Sequence, residues 1–325
     1  MNQMEWAIRP VFAGIQALLL LILPMLMPVL VPLQMAAPLP VLLTALWGGP
    51  RAGWMGASVP VIGALLLSEG ILFPFTTFLL FFGFPLLAAW LVRGGWKASH
   101  CLGVAYLLGI GVLLLFFVWV LLSGIDFETE ITLKLNEFKP AIMASMTASI
   151  AKKGVDPVFL AEFKNGLDAL IHILSLLLPS LVLSGWFLLH TGNLLAARRL
   201  VAKRVNVTVF APEDLTNWRI PFKLVWVFLG TGLLAYVTEG FPKQLGANLF
   251  FLVAMLYFFQ GMAIVQTGFR HYSVAGVGRG IFYFALIVWS SLVLIVMVLG
   301  LFDIWVDFRK RFFSTCKEGE NSPGS

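Results

Sequence analysis

Asp168 and His172 stand four residues apart in a largely apolar stretch, and Ser175 follows one turn later. Positions four apart share a helix face, so a carboxylate, an imidazole and a hydroxyl could line one cavity. Ionisable groups are costly in hydrocarbon, and those found there mark binding sites or proton paths. A plainer arrangement also fits: Asp168 as a wet helix-start carboxylate and His172 as a buried, hydrogen-bonded ring. A second pair, Asp303 and Asp307, lies in "GLFDIWVDFRKR" (300–311). Two carboxylates can hold a cation, but the neighbouring basic residues compete for them. An end-cap at the membrane interface is the better account. Gln16, Asn248, Gln260 and Gln266 interrupt apolar runs, where hydrogen bonding between helices is their default role. Gln260 joins Asp168, His172 and Ser175 as a candidate lining of a substrate cavity.

Soluble-type catalytic signatures are absent: no HExxH, no G-x-S-x-G and no phosphate-binding P-loop. "GVGRG" (276–280) has spaced glycines but no strand before it, and reads as a flexible loop. Cys101 and Cys316 are too few for a metal cage or a disulfide framework. The sequence therefore points to no enzyme, no cofactor and no metal.

Composition settles what must position these groups. Hydrophobic residues make up 60% of 325 positions and charged residues 12%, against about half and a quarter in a soluble domain. Mean hydropathy is +0.93. Runs of about 20 apolar residues are long enough to cross a bilayer, and only helices hide their backbone there. The expected fold is an all-α integral membrane protein, a bundle of eight or nine spans forming one domain over 1–311. The net charge of +6 and pI near 9.4 reflect basic cytoplasmic loops rather than nucleic-acid binding.

The expected spans are 11–33, 34–49, 52–68, 71–92, 102–123, 167–190, 223–240, 246–267 and 281–302. Pro24, Pro28 and Pro32 should kink the first, which is too long for a cleavable signal. Residues 124–166 hold Ile131, Leu135, Phe138, Ile142 and Met146 at helical spacing, an amphipathic segment for the membrane interface, bent at Pro140. Asp156 should cap a helix starting at Pro157. "ARRLVAKR" (197–204) marks 191–222 as a basic cytoplasmic loop, which by alternation puts 124–166 outside. The same alternation lands the basic "DFRKR" (307–311) outside, against the rule. Residues 312–325 read as a disordered tail.

"YFFQGMAIV" (257–265) and "GLFDIWVDFR" (300–309) resemble the YybS-like family of uncharacterised bacterial membrane proteins, with Gly300, Asp303, Asp307 and Arg309 carrying the C-terminal motif. That likeness implies a multi-pass protein of the bacterial plasma (inner) membrane. "PLPVLLTALWGGPRAGWMGASVPVIGALL" is more distantly similar to substrate-binding S components of energy-coupling-factor transporters. There a Gly-Pro-Arg-x-Gly turn, here Gly49, Pro50, Arg51 and Gly53, is scaffold between two helices. That likeness also implies a membrane coupling subunit and an ATPase as partners, with Ala13 and Ala17 at the partner-helix interface. Apart from the lipid bilayer, the expected partner is a small-molecule ligand, held in a cavity between the early spans with 124–166 as a partial lid. The leading expectation is an S-component-like binding and uptake protein. A cell-envelope scaffold and an intramembrane enzyme on lipid-linked substrates are the alternatives.

Overall fold

The computed structural model describes residues 3–68, 70, 72–150, 157–204, 210 and 218–313. Every regular element among them is helical. In chain order these are α1 (Gln3–Leu26), a 3-10 turn (Pro28–Leu30), α2 (Val31–Gln34), α3 (Pro38–Gly48), α4 (Pro50–Leu66) and α5 (Leu72–Thr77). A π-helical segment (Phe78–Gly83) leads into α6 (Phe84–Arg93), followed by α7 (Ala98–Ser123), α8 (Phe127–Ile150) and α9 (Pro157–Arg204). The chain ends with α10 (Leu224–Val237), α11 (Gly240–His271), α12 (Gly276–Val288), α13 (Ser290–Val306) and α14 (Phe308–Phe313).

Among the described residues, five helical stretches are long and apolar enough to cross a membrane: Val31–Gly48, Pro74–Arg93, Ala98–Ser123, Val158–Val201 and Gly240–His271. A sixth is reached if α12 and α13 count as one span. Two shorter apolar helices, Arg9–Pro24 and Leu224–Val237, and the 17-residue α4 occupy the remaining expected positions. Each apolar run in the sequence is thus a helix, but fewer reach full span length than the eight or nine expected.

The local reasons are specific. Pro28 lacks the amide that would continue α1, so the first run breaks into a 3-10 turn there. The Gly49–Pro50 turn divides α3 from α4: Gly49 has φ +86 and ψ −178, a region open to glycine, and Pro50 fits the first helical position. Asp156, expected to cap α9, lies outside the described residues, and Pro157 is helical. The stretch 191–222, read as a loop, is helical to Arg204 because Leu194, Ala197 and Val201 give that segment a buried face. The last expected span, 281–302, is broken: Trp289 is extended (φ −110, ψ 99) and the two helices meet at 108°. "GVGRG" is therefore the start of α12 and not a loop. Residues 314–325 of the expected tail lie outside the described residues.

The sequence reads as one domain over 1–311; the helices pack as two compact units. One comprises Met1–Gly111 and Leu183–Asp214, the other Val112–Val182 and Leu215–Ser325. In the first, α1 packs on α3 and α4, and α3 on α6. Ala17, Val41, Ala57 and Phe82 form its fully buried centre. Gly14 lies against the Gly56 carbonyl and Val59, the small-residue contact that lets membrane helices approach closely. In the second unit, α11 packs on α10 and α13. α8 runs through Pro140, and no described side chain of α8 is buried by the protein itself.

Candidate functional site

The expected Asp168–His172–Ser175 constellation does not assemble. Asp168 pairs with Lys139 on α8. His172 Nδ1 stands 3.6 Å from Glu128 Oε1, also on α8. Ser175 is fully buried, and its hydroxyl donates to the His172 carbonyl at 2.9 Å within α9. A common helix face brings side chains near each other, but opposite charges on α8 compete more strongly than a neighbour of uncertain charge.

Gln260 belongs to a different cluster, which unites the two C-terminal motifs. It accepts from the Ile220 amide at 2.8 Å and donates to Asp303 Oδ2 at 3.2 Å. Asp303 Oδ1 accepts from the Phe308 amide at 3.0 Å, and Arg309 approaches Oδ2 at 3.4 Å while donating to the Trp218 carbonyl at 2.9 Å. Asp307, in left-handed conformation (φ 47, ψ 60), ends α13 and lets the chain turn so that Arg309 folds back on Asp303. Asp307 itself takes a 2.6 Å bond from Arg219. Burial acts to raise the Asp307 pKa, but that bond and charge outweigh it and hold the carboxyl below its usual range. The crossing of α11 and α13 sets the register. A Cβ on Gly300 would overlap the Tyr257 carbonyl and lie 2.6 Å from the Gly261 amide nitrogen. Each acid here has a basic partner, so the cluster is a lock between α11, α13 and the segment 218–220.

The other predicted residues are placed as follows. Gly49 and Pro50 form the α3–α4 turn, Arg51 is exposed, and Gly53 packs against Ala45 and Leu86. Arg93 donates to the Leu46 carbonyl at 2.7 Å, clamping the end of α3. Ala13 and Ala17, expected at a partner interface, are buried inside the first unit. Their small size serves the chain's own α1–α4 crossing.

A cleft of about 500 Å³ opens where α7 gives way to α8, and a second, of about 390 Å³, lies among the early helices against Pro50, Trp90, Leu91, Arg93 and Trp96. Val120 and Leu121 end α7; Gly124, with φ +67, reverses the chain, as glycine does at helix C-termini. Asp126 then caps α8, accepting from the Thr129 amide at 3.2 Å and hydroxyl at 2.7 Å. These two hydrogen bonds, the hydroxyl's first, hold the Asp126 carboxyl below its usual range. Phe127, Glu128, Thr132 and Leu133 continue the wall, and the start of α11 closes it with Gly240, Phe241 and Gln244. Gln244 is 4% exposed and its Nε2 has no hydrogen-bond partner. Sequence reading overlooked Gln244, since a glutamine in a first helical turn looks solvated; its place four residues before Asn248 was the available signal.

No group of three or more His, Cys, Asp or Glu side chains among the described residues is arranged to hold a metal. Regular structure that is helical throughout the described residues, with several apolar helices of membrane-spanning length, defines a multi-pass helical membrane protein. Within that class, the family described as "Predicted membrane protein (DUF2232)" matches residues 15–304. The chain belongs to that family. No curated protein matches it, and no solved structure does.

Proposed function

We propose that this protein binds a small molecule in the α7–α8–α11 cleft and helps carry it across a bacterial plasma membrane, without covalent chemistry. One observation carries the reading: a cleft of about 500 Å³ with mixed apolar and polar walls, bordered by a buried amide that lacks a hydrogen-bond partner. Small-molecule sites occupy roughly 300–1,000 Å³ and combine apolar walls with a few converging polar groups. The acids an intramembrane enzyme would need, Asp168, Asp303 and Asp307, each have a basic partner, which favours binding over catalysis. Import in the manner of an S component would draw on a coupling subunit and an ATPase. With Ala13 and Ala17 buried, the exposed Phe12, Ile15 and Leu19 of α1 offer the docking face.

Native mass spectrometry of the full chain purified in mild detergent tests this. A stoichiometric small molecule is expected, and Thr132→Trp, which fills the cleft, should expel it. An empty cleft together with no co-purifying ATPase would sink the proposal. A second reading, a scaffold for envelope proteins, draws on α8 and α12, where no described side chain is buried within the chain. Crosslinking in cells to envelope machinery instead of an ATPase would favour it.

A further inference from the structure

We propose that the cleft takes a zwitterion: a small molecule with an apolar body, one ammonium group and one oxyanion. This rests on the binding reading above and names the chemistry of what is bound.

The oxyanion end follows from α11. This 32-residue helix opens at Gly240 (φ +61) with no side-chain cap from Glu239. The Gly240 and Phe241 amides have no carbonyl of the same helix to meet, Pro242 after them has no N–H, and this end carries the positive pole of the helix dipole. Gly240 and Phe241 line the cleft, and Gln244 stands one turn further in with its unpartnered Nε2. A carboxylate or phosphate oxygen set against that turn would accept from the main chain and the buried amide together. Helix N-termini bind anions in this manner; here the orphaned carboxamide is a second and independent indication.

The ammonium end follows from α8. Asp126 and Glu128 both line the cleft. Thr129 holds the Asp126 carboxylate in place through both oxygens, and each oxygen has a further lone pair to offer. Glu128 Oε1 stands 3.6 Å from His172 Nδ1, beyond hydrogen-bond reach. Phe127 and Phe241 also line the cleft, and aromatic rings attract ammonium groups. A simple anion would meet two carboxylates, and a simple cation would leave Gln244 and the α11 amides unmet. One molecule bearing both charges satisfies both walls. Free amino acids with apolar side chains and the phosphoethanolamine headgroup of a lipid share this chemistry.

The experiment uses the full chain in dodecylmaltoside and reads thermal unfolding and binding by calorimetry. L-phenylalanine is compared with 3-phenylpropionate, which lacks the amine, and phenethylamine, which lacks the carboxylate. In the lipid arm, nanodiscs of phosphatidylethanolamine are compared with phosphatidylglycerol, and retained lipid is counted by native mass spectrometry. The expected result is at least tenfold tighter binding of the zwitterion than of either analogue, or selective retention of phosphatidylethanolamine; which arm responds identifies the source. Gln244→Leu should weaken that binding tenfold or more while raising the unfolding midpoint of the ligand-free protein, since it removes a buried donor without a partner. A merely structural glutamine would lower the midpoint instead. Asp126→Asn with Glu128→Gln keeps the helix cap and should erase the preference for the amine. Equal binding of one single-charge analogue, or no response in either arm, overturns the inference. A bound molecule that Thr132→Trp expels but that lacks one of the charges would defeat this inference and leave the binding reading standing.

Discussion

Removing the Asp303 carboxylate should be among the most damaging single changes in the second unit. Its side chain is 1% exposed and that of its partner Arg309 7%, so solvent screens the pair little. Asp303→Ala takes away three things at once: the counter-charge of Arg309, the acceptor for Gln260 Nε2 and the acceptor for the Phe308 amide. Breaking one side of a buried ion pair costs about 3–5 kcal/mol, because the remaining charge stays buried. Taking about 4 kcal/mol, at 1.4 kcal/mol per decade the folding equilibrium falls roughly a thousandfold. Asp303→Asn keeps one acceptor oxygen, for either Phe308 or Gln260 but not both, and should cost less than alanine.

The control is the double variant Asp303→Leu with Arg309→Met. With both charges gone the desolvation penalty goes too, and apolar replacements of buried pairs are often neutral. Most of the loss should return, save the tie from Arg309 to the Trp218 carbonyl. The assay is equilibrium unfolding in mixed micelles with increasing denaturing detergent, followed by circular dichroism. Asp303→Ala within about 1 kcal/mol of the unaltered chain would refute the argument, since it would mean that the pair is solvated or unformed. A double variant as unstable as Asp303→Ala would refute the role given to the buried charge.

Three further outcomes are expected. Gly300→Val should force α11 and α13 apart, because even a Cβ overlaps the Tyr257 carbonyl; a loss of about 1–3 kcal/mol or more, read as a lower unfolding midpoint, is the check. Asn248→Leu should cost about 2–4 kcal/mol by orphaning the Leu176 carbonyl and the Ser180 amide, and amide exchange around Pro179 should accelerate. Asp307 has a depressed pKa, so the stability it contributes is complete above its unfolded value of about 3.9 and is lost as pH falls through its lower folded value. Arg219→Gln should flatten that acid limb while changing stability at neutral pH by no more than about 1 kcal/mol, as for partly exposed pairs.

What the sequence disclosed was whatever depends on neighbours along the chain. Apolar runs became helices, Gly49 and Pro50 became a turn, and the spacing of Ile131, Leu135, Phe138 and Ile142 became a helix with no buried face in the protein. What it concealed depends on crossings. Gln260 and Asp303 are 43 residues apart, and their meeting is set by the contact of Gly261 and Gly300, which the sequence shows only as two small residues. Asp168 and His172 share a face, but charges on α8 decide their partners. The Trp289 break falls within an unbroken apolar run, where hydropathy alone cannot see a bend.

The buried polar groups give the cleft its weight. In most cases a buried side-chain amide or imidazole closes a gap in the main chain. Asn248 bridges the Leu176 carbonyl and the Ser180 amide beside Pro179, where α9 loses a hydrogen-bond donor. Gln260 takes the Ile220 amide just ahead of Pro221, His190 meets the Leu80 carbonyl inside the π-helical segment, and Asn193 caps the Met35 carbonyl. Each stabilises an irregularity that lipid would not tolerate. Gln244 stands apart, for its nitrogen closes no such gap. The hydroxyls of Tyr106, Ser184, Thr191 and Tyr257 and the Nδ1 of His190 also lack partners, yet none of them lines the cleft. Leucine at position 244 would remove that orphaned donor, so a stability gain in Gln244→Leu together with lost binding is the outcome that the proposed zwitterion site requires.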